Sequence, residues 1–395
     1  MKKALVIAAV TVLSTSAFAS KARTYALGNS AHLNDVQEVL AKPDKAAAYG
    51  EWATLETGAT AGAGTLGAPR AEGGFVRMMG QSALGAYLGA GSGTALTGVQ
   101  NYRGISASLL PQENPIRLFY ATKAGDMNWG VGLYHTSSKK KQAESATTGE
   151  AKQEAMGLTA SASTDVWDAR AGLGLANNAT YKDQNNDIKQ TGKTTMSVGG
   201  GYHMDTMYIY GEYGQAGAKT EESFGTTTTM ADRADTSMTV GVINSHKKDG
   251  TDFFYGISYV SSVLKDDADT PTSLNAVSTA LTGTAGTNAN KIEVTSLPLV
   301  VGIEAEATSW LVLRGSVSQT FGSLGLAKIK VSEKDSNNDA EYTGKDSTTV
   351  AVGTGIKWNK FMLDGVLKAS TGGSTTGAIG TDTNFVTNAG LTYTF

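Results

Sequence analysis

Ile116-Arg117-Leu118-Phe119-Tyr120-Ala121-Thr122-Lys123, then Gly125-Asp126, then Asn128-Trp129-Gly130-Val131-Gly132-Leu133 is the stretch that decides the fold. Ile116, Leu118 and Tyr120 alternate with Arg117, Phe119 and Ala121, and past the Gly-Asp turn Trp129, Val131 and Leu133 alternate with Asn128, Gly130 and Gly132. Side chains on a strand point to opposite faces in turn, so this is a hairpin with one apolar and one mixed face.

Outward from it the pattern repeats. Hairpins are expected at about 153 to 162 with 165 to 176, 193 to 203 with 206 to 216, and 235 to 246 with 252 to 264. Two more follow at about 291 to 306 with 310 to 321, and 348 to 358 with 361 to 370. A last strand, Asn384 to Phe395, carries Phe385, Thr387, Ala389, Leu391, Tyr393 and Phe395 on one face. Linkers alternate between tight ones, such as Ser163-Thr164, Met204-Asp205 and Asn359-Lys360, and long polar ones, such as Lys265 to Asn290 and Ser323 to Ser347.

Hydrophobic residues make up 40% of the chain but never form a run of 18, so no helix can cross a membrane. Hydrocarbon demands that every backbone polar group be paired within the protein, which leaves a closed barrel as the way to span. Short turns at one end and long loops at the other are the habit of outer-membrane barrels. The expected fold is therefore all-β: a transmembrane antiparallel up-and-down β-barrel whose final strand descends to the periplasm. Glu51 to Gly58, about Ala71 to Met79 and about Ala83 to Gly89 supply the first three strands, for a total of about 16. A 14-strand barrel follows instead if the region before about residue 80 serves as a plug.

The ends of the chain differ from this body. Lys2 and Lys3, the apolar run Ala4 to Leu13 and the small-residue Ala17-Phe18-Ala19 read as a signal peptide, residues 1–19, removed on export. Removal of two lysines leaves 31 basic against 36 acidic side chains, which gives no reason to expect nucleic acid as a partner. Residues 20–48 form a separate N-terminal segment, a periplasmic appendage or a plug in the barrel, and 49–395 the barrel itself. Ser30 is a candidate cap for a short helix presenting Leu33, Val36, Val39 and Leu40, stopped before Pro43. The loop from Ala90 to Asn114 is a second candidate for narrowing the pore.

Alternation places Arg117, Lys123, Asp168, Arg170, Glu212, Glu304, Glu306, Arg314, Lys357, Asp364 and Lys368 on the inner face as pore-lining residues. Charge facing lipid costs about 2 to 4 kcal/mol for Lys or Arg at mid-depth, so this segregation points to an aqueous interior. Trp52, Trp129, Trp167, Trp310 and Trp358 all fall near the tight turns, with Tyr202, Tyr208, Phe253 and Phe361, as an interfacial girdle would.

Chemical motifs are weak. Thr191-Gly192-Lys193-Thr194 ends like a phosphate loop, but the glycine required five residues before Gly192 is Asp187. The chain has no cysteine, and His32, His135, His203 and His246 lack metal-ligand spacing. No catalytic residue, cofactor or resident metal is expected. Asp183 to Asp187 and Asp335 to Asp339 share a D-x-N-x-D spacing that suits a cation bridge to lipopolysaccharide, or simple solvated turns.

Signal peptide, strand series, lumen charges and the terminal Leu391-Thr392-Tyr393-Thr394-Phe395 resemble those of general outer-membrane porins. Ala26-Leu27-Gly28-Asn29-Ser30, Asp35 and Lys42-Pro43 more particularly resemble the start of the major outer-membrane proteins of predatory deltaproteobacteria. The porin constriction motif Pro-Glu-Phe-Gly is absent. The resemblance implies a bacterial outer-membrane location, passive ion and small hydrophilic solute transport, and assembly through Phe395 by the barrel-assembly machinery. Contact with membrane lipid and lipopolysaccharide, and a homotrimer, belong to the same expectation. The alternative is a plugged barrel, either a structural or adhesive surface protein or a fatty-acid-transporter-like channel for hydrophobic solutes.

Overall fold

The computed structural model describes residues 20–395 apart from 59–60, 63–64, 67–69, 91–108, 111, 113–114, 145–146, 185, 226, 268–288, 322–323, 334–338, 344–345 and 372–382. The expected signal peptide and most of the Ala90 to Asn114 loop lie outside those residues.

Among the described residues sixteen antiparallel strands close into one barrel. They are β1 Trp52–Gly58, β2 Arg70–Met79, β3 Ser82–Leu88, β4 Ile116–Ala124, β5 Met127–Glu144, β6 Thr147–Ser163, β7 Trp167–Lys182 and β8, formed by Asn186–Gly192 and Thr195–Met204. Then come β9 Met207–Phe224, β10 Thr227–Lys248, β11 Thr251–Asp266, β12 (Ala289–Ser296 and Pro298–Glu306) and β13 (Leu311–Thr320 and Ala327–Glu333). The last three are β14 (Ala340–Thr343 and Ser347–Trp358), β15 Phe361–Thr371 and β16 Thr383–Thr394. The barrel closes where β1 pairs with β16, with Trp52 opposite Thr394 and Leu55 opposite Leu391. The first strand is therefore the Glu51 to Gly58 segment, and sixteen strands displace the fourteen-strand alternative.

Every strand contributes a large apolar side chain to the outer surface, from Leu55 on β1 through Val131, Ile209, Val301 and Val352 to Leu391 on β16. A continuous apolar belt of that kind has no place on a water-soluble monomer, and it is what a lipid-facing wall requires. The tight turns are built from residues that tolerate a left-handed backbone: Asp205 has φ 53° and Asn359 φ 56°.

The wall is uneven. Strands β1 to β4 run 7 to 10 residues, whereas β10 runs 22. About 9–11 tilted residues suffice to cross the bilayer, so the tall side projects well beyond it. Ser323 to Ser347, expected as an irregular loop, holds strand at Ala327–Glu333 and Ala340–Thr343. Ile292, Ile329 and Val331 make a small core there, and Lys328–Glu341 and Lys330–Asp339 pair across the strands. Polar sequence hides these extensions, because cross-strand ion pairs and backbone ladders hold them where no lipid imposes an apolar face. Asp183, in the first candidate cation loop, accepts from the Asn186 backbone N–H at 2.7 Å and from Tyr181, and Asp187 pairs with Lys182, as a solvated turn does. Most of the second such loop lies outside the described residues.

Candidate functional site: the lumen and its N-terminal segment

Residues 20–50 lie inside the barrel at the tight-turn end. They form helix α1 Lys21–Ala26, a 3-10 turn Val36–Leu40 and helix α2 Lys45–Tyr49. Ser30 does not cap the apolar helix as its sequence suggests. Asp35 does, accepting from the Gln37 N–H at 2.9 Å, and the turn it caps carries Val36 and Val39 into a core with Trp52, Val76, Ala83 and Phe119 of the wall. The helix is short because Pro43 follows and because the wall supplies the other half of the core.

Glycines on the inner face make room for this segment. A Cβ at Gly130 would lie 2.1 Å from the Asp44 backbone nitrogen, and one at Gly353 would lie 2.6 Å from the Ala26 Cβ. The backbones can approach only because neither position carries a side chain.

Polar contacts fasten the segment at two places. Arg23 donates to Glu304 at 2.9 and 2.7 Å, to the Asn34 carbonyl at 2.8 Å and to Asp35 at 3.4 Å. Glu304 also accepts from Arg314 at 2.7 Å, and Arg314 donates to Asp364 at 2.5 Å. At the second, Lys42 bridges Glu38 and Asp168, each at 3.1 Å, while Tyr208 donates to Asp168 at 2.8 Å. The Asp44 carboxylate accepts from Ser161 and Ser163.

The segment's titrations follow from burial. Burial pushes the Asp35 carboxyl up to about 7 against the opposing pull of Arg23. Burial likewise pulls the His32 imidazole down to about 4, its ring lying 4.6 Å from that of Phe254. Burial alone would lower the Lys42 ammonium, yet Glu38, Tyr208 and Asp168 together hold it above the ordinary lysine value.

The structure sorts the expected pore-lining residues into three sets. Arg117, Asp168, Glu304, Arg314 and Asp364 lie beneath the N-terminal segment, with Arg117 donating to the Leu40 carbonyl at 3.0 Å. Arg170–Glu212, paired at 2.7 Å, and Lys357–Glu306 are ion pairs that keep partial exposure. Lys123 is exposed beside its tight turn, and the Lys368 side chain lies outside the described residues. Of the expected girdle, Trp129 and Trp358 are exposed on the outer wall, Trp310 is exposed in the turn before β13, and Trp167 is half-buried. Trp52 is a correction: it is 0% exposed, on the same inner face as Thr54 and Glu56. Tyr208 likewise turns inward. Proximity to a turn placed both correctly in height but could not choose their face.

Sequence reasoning missed Arg23, Asp35, Lys42 and Asp44, the segment's own half of the network, and the inward Glu56 and Glu72. The inward glycines in otherwise regular strands were the available signal. Beside the segment, a recess of about 480 Å³ is bordered by charged residues such as Arg23, Lys247, Asp252 and Glu306 together with apolar Leu33 and Val312. An apolar groove opens on the outer wall at Leu55, Phe75 and Leu391.

No protein-family model and no curated protein sequence matches the chain. Among solved structures it is similar to CdiB from Acinetobacter baumannii, with TM-score 0.43 and 10% identity over 87% of this chain and 60% of that one. It is also similar to a porin, with TM-score 0.39 and 11% identity over 87% and 99% of the two chains. A FadL homologue of Pseudomonas aeruginosa gives TM-score 0.40 and 10% identity over 95% and 97%. The chain spans about 60% of the length of CdiB. Nothing among these likenesses bears on the deltaproteobacterial resemblance of the N-terminal residues.

Proposed function

We propose that the protein is a bacterial outer-membrane channel for small hydrophilic solutes and ions, with its lumen narrowed at the periplasmic end by residues 20–50. The observation that carries this reading is the division of the wall: an apolar outer belt on every strand, and an inner face of ion pairs such as Arg170–Glu212 that keep access to water. A mixed-charge constriction orients dipolar solutes and discriminates ions weakly. The tight turns face the periplasm, Phe395 engages the assembly machinery, the outer belt meets membrane lipid and lipopolysaccharide, and a homotrimer is the expected assembly. No step of chemistry is assigned to the protein.

One observation favours the plugged structural or adhesive alternative: residues 20–50 are fastened to the wall at strands well apart around the barrel, to Glu304 on β12 and to Asp168 on β7. Planar-bilayer recording of the full-length protein and of Arg23→Gln separates them. The channel reading expects steady ion-conducting steps, larger or more frequent in Arg23→Gln. Silence of both proteins in a correctly folded state would overturn it.

A further inference from the structure

Ser20 is fully buried in the lumen, and its surroundings hold more negative charge than the described residues neutralise. Its hydroxyl donates to Asp364 Oδ2 at 3.2 Å, and the next backbone N–H, that of Lys21, donates to Glu56 Oε2 at 3.0 Å. A Cβ at Gly390 would lie 2.2 Å from the Ser20 Cβ, so the residue sits directly on bare wall backbone. Asp364 already has Arg314. Glu56 is buried and accepts from Lys21 N–H and Gln37, yet among the described residues it has no ion pair, because the Lys21 ammonium goes to Glu72 instead. A buried carboxylate with hydrogen bonds but no cation is an expensive arrangement.

The sequence names a cation that would fit. Ala17-Phe18-Ala19 is a small-residue cleavage signature, and cutting the Ala19–Ser20 bond turns the Ser20 amide nitrogen into an α-ammonium. That nitrogen is one residue's span from the Lys21 N–H held by Glu56 and shares a residue with the hydroxyl held by Asp364, within about 6 Å of both by backbone dimensions. We infer that residues 1–19 are cleaved after Ala19 and that the new Ser20 α-ammonium is seated inside the barrel as the cation for Glu56, beside Asp364. An uncleaved chain would place an uncharged amide there and leave Glu56 unpaired. Export processing thereby completes the charge balance that holds the N-terminal segment against the wall. The inference stands apart from conduction, since it concerns how the segment is anchored and not what passes it.

The test uses the mature full-length protein purified from outer membranes. Intact mass and N-terminal peptide mapping are expected to give a chain beginning Ser20-Lys21-Ala22. Periodate attacks a serine only when it carries a free α-amine, converting it to a glyoxylyl group. The folded barrel is expected to be oxidised at least tenfold more slowly than the urea-unfolded chain. Protein oxidised while unfolded and then refolded is expected to melt lower than untreated protein. Glu56→Gln should abolish most of that difference, and Glu341→Gln, on the projecting wall, should preserve it. A mature chain starting elsewhere, native oxidation as fast as unfolded, or an equal melting loss in Glu56→Gln would each overturn the proposal. If Glu56→Gln does not fold, the first two measurements decide.

Discussion

Leu313 and Arg314 are neighbours in the chain, yet one belongs to the outer face of the wall and the other to the inner. Leu313 is 45% exposed in the apolar belt. The Arg314 side chain is completely enclosed, held by Glu304 and Asp364. The outer face has a uniform solvent and needs only apolar character, so many residues serve equally. The inner face has specific partners, contributed by a segment nearly three hundred residues away in sequence, and each position is matched to one of them. Substitutions should therefore be tolerated on the outer face by class and on the inner face by identity.

The largest effect should come from breaking the inner network. Arg314→Met leaves Asp364 and Glu304 without their shared cation, and removing one partner of a buried pair costs about 3–5 kcal/mol. Thermal melting of the refolded barrel should fall sharply, whereas Leu313→Met should leave it almost unchanged. Were the two losses alike, the distinction between faces would fail. The outer face should show its own intolerance, to charge: Val317→Arg, on the same outer face of β13 but deeper in the wall, is expected to cost about 2–4 kcal/mol, read as a lowered urea midpoint for folding into vesicles.

A paired glycine exchange sharpens the same contrast. Gly353 abuts Ala26, whereas a Cβ at Gly365, one strand away, would meet nothing within 4 Å. Gly353→Val should displace α1 at a cost of about 1–3 kcal/mol and raise protease cleavage within residues 20–50. Gly365→Val should do neither.

The smallest expected effect is a pH dependence of docking. Asp35 has its folded pKa raised to about 7 by burial, from the ordinary carboxylate value of 3.8. A raised pKa means that its contribution is full below about pH 4 and is lost as pH rises through about 7. His32, lowered to about 4 from 6.5, runs the other way: its contribution is full above 6.5 and lost as pH falls toward 4. Protease protection contributed by Asp35 should thus decline from about pH 4 to about pH 7, opposed by His32 up to pH 6.5, and Asp35→Asn should remove that decline. A slope unaltered in Asp35→Asn would assign the pH response to other groups.

The outer face was legible because its cause is local. Ile116, Leu118 and Tyr120 announce a lipid-facing strand whatever lies elsewhere, and the same period carries through to Leu391 and Phe395. Tight turns were legible at Met204-Asp205 and Asn359-Lys360 for the same reason, since a left-handed residue is a property of its own backbone. Trp52 and Tyr208 were misread because nearness to a turn fixes height on the wall and not the face. The projecting strands near Ile329 and Lys330 were missed because outside the bilayer no uniform solvent writes a period into them.

From the sequence alone came an antiparallel up-and-down barrel of fourteen or sixteen strands, apolar outside and charged inside, because a strand's alternation and the bilayer's intolerance of unpaired polar groups act residue by residue; the pairing of β1 with β16 made it sixteen. Only the tertiary structure decided what fills the lumen. Arg23 finds Glu304, Lys42 finds Asp168, and Asp44 settles against Gly130 because closing the barrel brings distant strands around one short segment. Those are matches of shape and charge between residues that no periodicity connects.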